Sequence, residues 1–237
     1  GSIPSSSTST NHDNKIMIIK KGEYMKNILA TLLFTVMSFG VLADERAGVE
    51  STPSFSFTGE IGYKSDYVWR GVSQGNQPAL SVGGLVLHEG TGLYVGAWNS
   101  DVEFDDATSE TDFYGGLLLP ITDKVTLNVG YIRYTYDGSV ESFEELYAAA
   151  DIGNLSLSYY QDIDTNDNYA EIGYDLWFIP VLDVTLVGGL YDSEDTFGQL
   201  NVSYDLNESF TLTGMIGQDV FEDQVADSIS VGLLYNF

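Results

Sequence analysis

Large apolar residues alternate with small or polar ones along almost the whole chain from residue 54 to the C terminus. This period of two is typical of β-strands with one apolar face, and no stretch shows a sustained helical period. The pattern predicts twelve strands, at about 54–64, 79–88, 91–101, 111–119, 124–136, 143–152, 154–162, 168–178, 183–192, 196–206, 209–219 and 226–237. The chain is therefore predicted to be all-β.

The connections between these predicted strands alternate in length. Short turns such as HEGT, PITD, DIGN and LNES are interleaved with longer segments, among them SDYVWRGVSQGNQP and the acidic DVEFDDATSE. Such an alternation indicates an up-and-down antiparallel meander. An even number of strands then returns both ends of the meander to the same side.

Strand length and residue type favour a membrane barrel over a soluble sandwich or barrel. Runs of about 9–11 residues are long enough to cross a bilayer at a tilt. The face opposite the large apolar residues is rich in Gly, Ser, Asn and Thr, which suits a wet lumen better than a dry core. Aromatic residues near strand ends predict an interfacial girdle: Tyr63, Tyr67, Trp69, Trp98, Tyr114, Tyr136, Tyr169, Trp177, Phe178, Tyr191, Phe197, Tyr235 and Phe237. We therefore expect a transmembrane β-barrel closed between its first and last strands, because an open edge cannot be hydrogen-bonded in lipid.

The charge balance excludes several classes of function. The 237 residues carry 35 acidic and 9 basic side chains, a formal net charge of −26. Nucleic-acid binding depends on Lys and Arg, so no nucleic-acid partner is expected, and anionic substrates are disfavoured. The chain has no Cys, which excludes disulfides and thiolate metal sites.

The first part of the chain reads as a targeting segment. Met25 and Lys26 precede an apolar run that ends on Val41 and Ala43, the pattern of a secretory signal peptide cleaved before Asp44. A transmembrane anchor is the alternative, but residues 28–43 are short for a membrane-spanning helix. We expect four parts: residues 1–24 as an upstream leader or an expression remnant, 25–43 as the signal peptide, 44–53 as a short periplasmic segment and 54–237 as the barrel.

Two segments resemble known outer-membrane proteins. The last strand, with Val231, Leu233, Tyr235 and the terminal Phe237, is similar to the closing strand that the bacterial barrel-assembly machinery reads. The segment SDYVWRGVSQGNQPAL at 65–80 resembles the N-terminal signature of the TorF-like (Gcw_chp) family of proteobacterial outer-membrane proteins. This resemblance extends over essentially all of residues 54–237. It implies a bacterial outer-membrane barrel in contact with lipid and lipopolysaccharide, and it carries over no catalytic residues.

The predicted inward face gives the main indication of function. If the large apolar residues face lipid, five charged side chains point into the lumen: Glu60, Lys64, Glu145, Glu171 and Asp175. A net acidic lumen favours cations and neutral polar solutes. The sequence thus predicts a passive channel or porin for such small solutes. In the alternative, the inward groups pair with one another and fill the interior, leaving a non-conducting structural or surface-interaction barrel with acidic, divalent-cation-binding loops. Twelve strands lie between filled eight-stranded and open sixteen-stranded barrels.

Other side chains offer weaker candidates. Trp69 and Arg70 in the first long connection are candidate loop contacts, either folded into the lumen around a solute or paired with loop carboxylates at the interface. Asp162, Asp164 and Asn166 mimic the start of a calcium loop, but Asp167 and Gly173 stand where that loop needs its Gly and its bidentate Glu. His88 is the single histidine after residue 43 and lies in a predicted turn, so we expect no catalytic site, no cofactor and no enzyme activity.

Overall fold

Strands make up every regular element of the part of the chain that the structure describes. The structure, a computed structural model, describes residues 55–179, 181–192, 195–221 and 224–237. The prediction for residues 1–54, including the signal peptide, lies outside these ranges. The strands are β1 (Phe55–Lys64), β2 (Val68–Trp69), β3 (Val72–Ser73), β4 (Ala79–His88), β5 (Leu93–Phe104), β6 (Ala107–Thr122), β7 (Val125–Tyr136), β8 (Phe143–Ile152), β9 (Leu155–Asp162), β10 (Asn168–Asp175), β11 (Asp183–Tyr191), β12 (Asp195–Asp205), β13 (Phe210–Phe221) and β14 (Gln224–Asn236). Within the described ranges, no helix is long and apolar enough to span a membrane.

Twelve of these strands form one closed antiparallel barrel. Each long strand pairs with its neighbours in sequence, and β1 pairs with both β4 and β14. At the seam, Tyr63 lies opposite Leu233, and Gly59 and Phe237 exchange two backbone hydrogen bonds of 2.9 and 3.0 Å. The predicted up-and-down barrel of twelve strands, closed between the first and the last, is confirmed. The end that carries both β1's start and β14's finish is called the lower end below, and the opposite end the upper end.

The strands extend further at the upper end than the sequence predicts. The acidic segment DVEFDDATSE, predicted as a long loop, is strand except for the turn at Asp105 and Asp106. Its alternation continues, because Val102 and Ala107 are buried while Asp101 and Glu103 are exposed. Acidic residues are compatible with a strand wherever its outer face meets water instead of lipid.

The outer surface of the barrel is apolar. Outward-facing Phe57, Val95 and Ile229 are 62%, 61% and 68% exposed, and the other strands present similar side chains. A closed barrel leaves no unpaired edge, so this surface can lie in hydrocarbon without a hydrogen-bonding cost.

The predicted aromatic girdle is only partly correct. Five of its members lie on the outside and are exposed: Tyr63, Trp177, Phe178, Tyr235 and Phe237. Seven others are buried inside the barrel: Tyr67, Trp69, Trp98, Tyr114, Tyr169, Tyr191 and Phe197. Tyr136 is half-buried and packs against Phe104 and Phe143. The prediction was wrong for the five inner residues on barrel strands because the parity of a residue in its strand decides its face, whereas nearness to a strand end does not. It was wrong for Tyr67 and Trp69 because the connection that carries them folds into the lumen.

Candidate functional site in the barrel lumen

The connection from β1 to β4, residues 65–78, folds into the barrel and is called the plug loop here. It contains the small hairpin β2–β3, in which Trp69 pairs with Val72. The two residues between them, Arg70 and Gly71, have φ angles of 44° and 85°. Positive φ at both central positions is the geometry of a two-residue hairpin turn with type I′ twist, and Gly71 adopts it freely. Trp69 and Arg70 are only 2% and 4% exposed, so the tip of this loop lies in the interior.

The plug loop crosses the lumen and contacts nine of the twelve barrel strands. Tyr67 packs on Trp98 of β5 and donates a hydrogen bond to Glu110 of β6. On the opposite wall, Ser228 and Ser230 of β14 donate hydrogen bonds to the carbonyls of Gly71 and Asp66. It also contacts Glu145 of β8, Tyr160 of β9, Tyr169 of β10, Tyr191 of β11, Phe197 of β12 and Asp219 of β13. The loop therefore fills the upper half of the lumen.

Arg70 anchors the plug loop through a buried ion pair. Its two terminal nitrogens donate hydrogen bonds of 3.1 and 3.0 Å to the two carboxylate oxygens of Glu145, a bidentate arrangement. Tyr134 donates a further hydrogen bond of 3.3 Å to Glu145. Burial alone would lower the pKa of Arg70, but Glu145 and the surrounding tyrosines raise it above its ordinary value, so the guanidinium stays charged. It also lies over four aromatic rings, those of Tyr169, Trp69, Tyr160 and Tyr191, at centroid distances of 3.8, 4.6, 4.8 and 5.6 Å.

The rings around Arg70 belong to a row of tyrosines on four consecutive strands. Tyr147 of β8 lies opposite Tyr160 of β9, which lies opposite Tyr169 of β10, which lies opposite Tyr191 of β11. Their ring centroids are 5.4, 5.8 and 4.6 Å apart in that order. Because antiparallel register places these residues side by side on one face, the row forms a continuous aromatic wall below the plug loop.

Two further carboxyl groups lie buried beside the plug loop without a basic partner among the described residues. Asp112 is 0% exposed, and neither of its carboxylate oxygens has a hydrogen-bond partner in the described part of the chain. Glu110, two residues earlier on the same face of β6, accepts one bond of 3.3 Å from Tyr67 and interacts with the hydroxyl of Tyr136. This pair was not among the lumen residues predicted from the sequence. The sequence signal that could have found the pair is the alternation along β6, since Glu110 and Asp112 are spaced in steps of two from the inward-facing Tyr114.

The lower half of the lumen has an apolar side on β4–β6, where Leu85, Leu87 and Leu118 belong to one apolar cluster with Tyr94, and a polar side on the other strands. Glu60 accepts a hydrogen bond of 3.3 Å from the indole of Trp98, and Asp175 accepts one of 2.7 Å from Thr185. Asn128 accepts one of 2.8 Å from Tyr94. On β9, β12 and β13 the inward-facing side chains are small, polar and partly exposed: Ser156, Ser158, Asn201, Ser203 and Thr213. This polar side of the lower lumen, with its acids and hydroxyls, is called the vestibule here.

The structure places the sequence-derived candidates in two groups. Glu145 and Glu171 lie in the upper half around the plug loop, where Glu171 accepts a hydrogen bond from Tyr169. Glu60 and Asp175 lie lower in the lumen, and Lys64 is half-buried within electrostatic reach of Glu60. Of the four Lys and Arg residues described, Lys64 and Arg70 are interior, whereas Lys124 and Arg133 lie outside the lumen.

The loop carboxylates at the upper end cap turns. Asp162 accepts two backbone hydrogen bonds of 2.8 Å, from Asp164 and Thr165, and Asn166 has a φ of 64°. Asp137 accepts bonds from the backbone of Thr108 and Ser109 and from the Thr108 hydroxyl, and these bonds lower its pKa. Among the described residues, no three His, Cys, Asp or Glu side chains are placed to hold a metal ion together.

Comparison with known proteins identifies the family. A family model described as a bacterial protein of unknown function, Gcw_chp, matches residues 48–233. The chain belongs to the Gcw_chp family. No curated protein matches it.

Solved structures similar to this Gcw_chp protein are outer-membrane barrels. The KdgM porin superposes with a TM-score of 0.58 at 11% identity, covering 76% of this chain and 99% of the porin. The NanC porin superposes with a TM-score of 0.50 at 10% identity, covering 76% and 99%. A COG4313 outer membrane channel from Pseudomonas putida F1 matches at 12% identity and a TM-score of 0.47, covering 81% and 98%. At these identities the first two similarities show a shared fold.

The fold and the family together give the location. A closed barrel with an apolar exterior belongs in a lipid bilayer, and in bacteria such barrels lie in the outer membrane. The protein is therefore a bacterial outer-membrane β-barrel.

Proposed function

We propose that this Gcw_chp protein is a passive channel for small cationic or neutral polar solutes and that the plug loop is its constriction. One observation carries the proposal: partly exposed acids and hydroxyls line one side of the lower lumen, and the plug loop fills the upper lumen. A barrel with only a structural role has no need for a wet interior. No catalytic side chain is part of the proposal.

The lumen charge determines which solutes are proposed. Inward-facing acids in strands include Glu60, Asp151, Glu171 and Asp175, whereas Arg70 is neutralised by Glu145. A lumen of this sign attracts cations and repels anions. One KdgM structure is a complex with oligogalacturonate, an oligomer of sugar acids. The acidic vestibule argues against extending an anionic ligand of that kind to this protein.

A second candidate function rests on the way the plug loop is held. The buried Arg70–Glu145 pair fixes the loop across the lumen, as expected for a non-conducting barrel that acts through its acidic outer loops. The two functions differ in the protein with its plug loop intact, which conducts if it is a channel and does not conduct if the loop is a permanent plug.

The barrel itself offers a direct way to remove the loop. Lys64 and Ala79 lie opposite each other in the β1–β4 ladder, so residues 65–78 can be replaced by Asn-Gly as a two-residue hairpin turn. In planar bilayers we expect the shortened variant to conduct in well-resolved steps, with wild type conducting less. In a salt gradient, its reversal potential should indicate cation preference.

Controls separate loss of folding from loss of function. A heat-modifiable gel shift reports whether each variant forms a barrel. Neutralising Glu60 and Asp175 in the shortened variant should weaken cation preference, whereas neutralising Asp123 and Glu208, exposed in lower turns, should leave it unchanged. A folded shortened variant that does not conduct would overturn the channel proposal, and anion selectivity would overturn the solute class.

A further inference from the structure

The buried pair Glu110 and Asp112 lies where the plug loop meets the wall. Both side chains point inward from β6, and Tyr67 of the plug loop covers them. The docked loop contributes to their burial, because Tyr67 donates a hydrogen bond to Glu110 and lies within electrostatic reach of Asp112. The ionisation of these carboxyl groups and the docking of the loop are therefore linked.

The charged state of this pair is incompatible with the docked geometry. A buried carboxylate needs a cation or several hydrogen-bond donors to offset its lost hydration. The described groups that face the pair are Tyr114 on β6 itself, Tyr134 and Tyr136 of β7, Glu145 of β8 and Tyr67 of the plug loop. None of these is basic, and Glu145 takes the bidentate contact of Arg70. Three of the four carboxylate oxygens of Glu110 and Asp112 have no hydrogen-bond partner within the described ranges.

We propose that the plug loop is a pH-dependent gate, docked while Glu110 and Asp112 are uncharged and released when they ionise. The proposal rests on the channel function proposed above. A rise in pH opens the lumen, since the ionised carboxyl groups gain hydration only when the loop leaves. Acidification closes it.

The plug loop contains a third acid that acts in the same direction. Asp66 is half-buried at the base of the loop, and burial raises its pKa while the hydrogen bond from Ser73 opposes this rise. An acid whose pKa is higher in the docked state favours docking below its ordinary pKa. That contribution disappears as the pH rises through the raised value.

The first test is conductance between pH 5 and pH 9 in planar bilayers. For one to two protons lost on release, the ratio of open to closed channels should rise about 10- to 100-fold per pH unit within the transition. The double variant Glu110→Gln/Asp112→Asn should stay closed across the range. The matched control Glu141→Gln/Asp105→Asn neutralises two exposed acids at the same end of the barrel and should keep the wild-type profile.

The second test does not depend on conductance. The chain has no Cys, so one introduced thiol is labelled selectively. Val72 is buried in the docked loop and Gln77 is exposed in the same loop. The labelling rate of Val72→Cys, divided by that of Gln77→Cys to cancel thiol ionisation, should rise with pH. Adding Glu110→Gln/Asp112→Asn should abolish this rise.

These outcomes distinguish the gate from the channel. A labelling ratio that is constant with pH, or unchanged by neutralising Glu110 and Asp112, would overturn the gate even if the barrel conducts. If the Asn-Gly variant folds but does not conduct, the channel proposal fails, while a pH-dependent labelling ratio would still show loop release. If the double variant does not fold, the single substitution Asp112→Asn carries the same test, with a smaller pH slope expected.

Discussion

At the scale of single residues, Arg70 shows how burial changes the value of an ion pair. The side chains of Arg70 and Glu145 are 1% and 7% exposed, whereas those of the pair Arg133–Glu144 on the outside are 49% and 30% exposed. Breaking a buried pair leaves one charge without hydration or a partner and costs about 3–5 kcal/mol, whereas exposed pairs contribute about 0–1 kcal/mol. The two pairs therefore form a matched comparison within one barrel.

We expect Arg70→Met and Glu145→Gln each to destabilise the docked plug loop strongly. Because the loop can leave the lumen, this loss should appear as faster labelling of a Val72→Cys thiol, with the barrel still folded by gel shift. In a double-mutant cycle the combined effect should fall short of the sum by more than about 1 kcal/mol. The control Arg133→Met should change labelling very little. Additive effects of the two buried substitutions would contradict a direct ion pair.

At the scale of elements, aromatic rings of one strand pack against glycines of the neighbouring strand. A Cβ added at Gly96 would lie 2.4 Å from the ring of Tyr114, and one at Gly83 would lie 2.5 Å from Trp98. Gly130 and Gly189 have the same relation to Tyr147 and Phe197. These rings lie flat on the wall because the glycine opposite them has no side chain. The glycines thereby keep bulky inward residues out of the centre of the lumen.

We expect Gly96→Val to destabilise the barrel by about 1–3 kcal/mol, because Tyr114 must leave the wall. The temperature at which the heat-modifiable gel shift occurs should fall. When Gly96→Val is added to the variant in which Asn-Gly replaces residues 65–78, the conductance should fall as well. Gly214 is a matched control, since a Cβ there meets no atom within 4 Å. Gly214→Val should change stability by less than about 0.5 kcal/mol. Equal effects at the two positions would indicate a general cost of replacing strand glycines instead of ring packing.

At the scale of the whole molecule, the seam between β1 and β14 closes the barrel. The backbone of Phe237 makes both of its hydrogen bonds to Gly59, and its ring lies against Gly59 and near Phe57 and Tyr235. The terminal residue is thus part of the closure. We propose that it also serves as the signal for the barrel-assembly machinery, the role that the closing-strand resemblance implies.

Phe237→Ala separates these two roles because it keeps the backbone bonds and removes the ring. For protein refolded in detergent, we expect a loss of about 1 kcal/mol, read from the gel-shift temperature. In cells, the amount in the outer membrane should fall much more than this change explains. If the cellular level follows the in-vitro stability alone, the ring contributes to closure only. Tyr63→Ala, also exposed at the seam, serves as the control.

Much of this architecture could be predicted from residue patterns. Period-two alternation located all twelve barrel strands, with β4 and β8 at their observed limits. It failed at the acidic ends of β5 and β6, because the prediction treated charge as a sign of a loop. It also assigned Tyr169, Tyr191 and Phe197 to a girdle, because it weighed nearness to a strand end above parity.

Alternation is a local property that each strand carries alone, so the wall of a membrane barrel could be predicted from the residues, and its closure followed because an open edge cannot be hydrogen-bonded in lipid. What fills the barrel depends on contacts between distant parts of the chain. The Arg70–Glu145 pair joins residues 75 positions apart, and Tyr67 of the plug loop contacts Glu110 from 43 positions away. Such contacts depend on barrel closure and on where a fourteen-residue loop can reach. No local sequence pattern specifies how far this loop reaches across the lumen. The alternation that predicted the barrel wall therefore could not predict that the lumen is occupied.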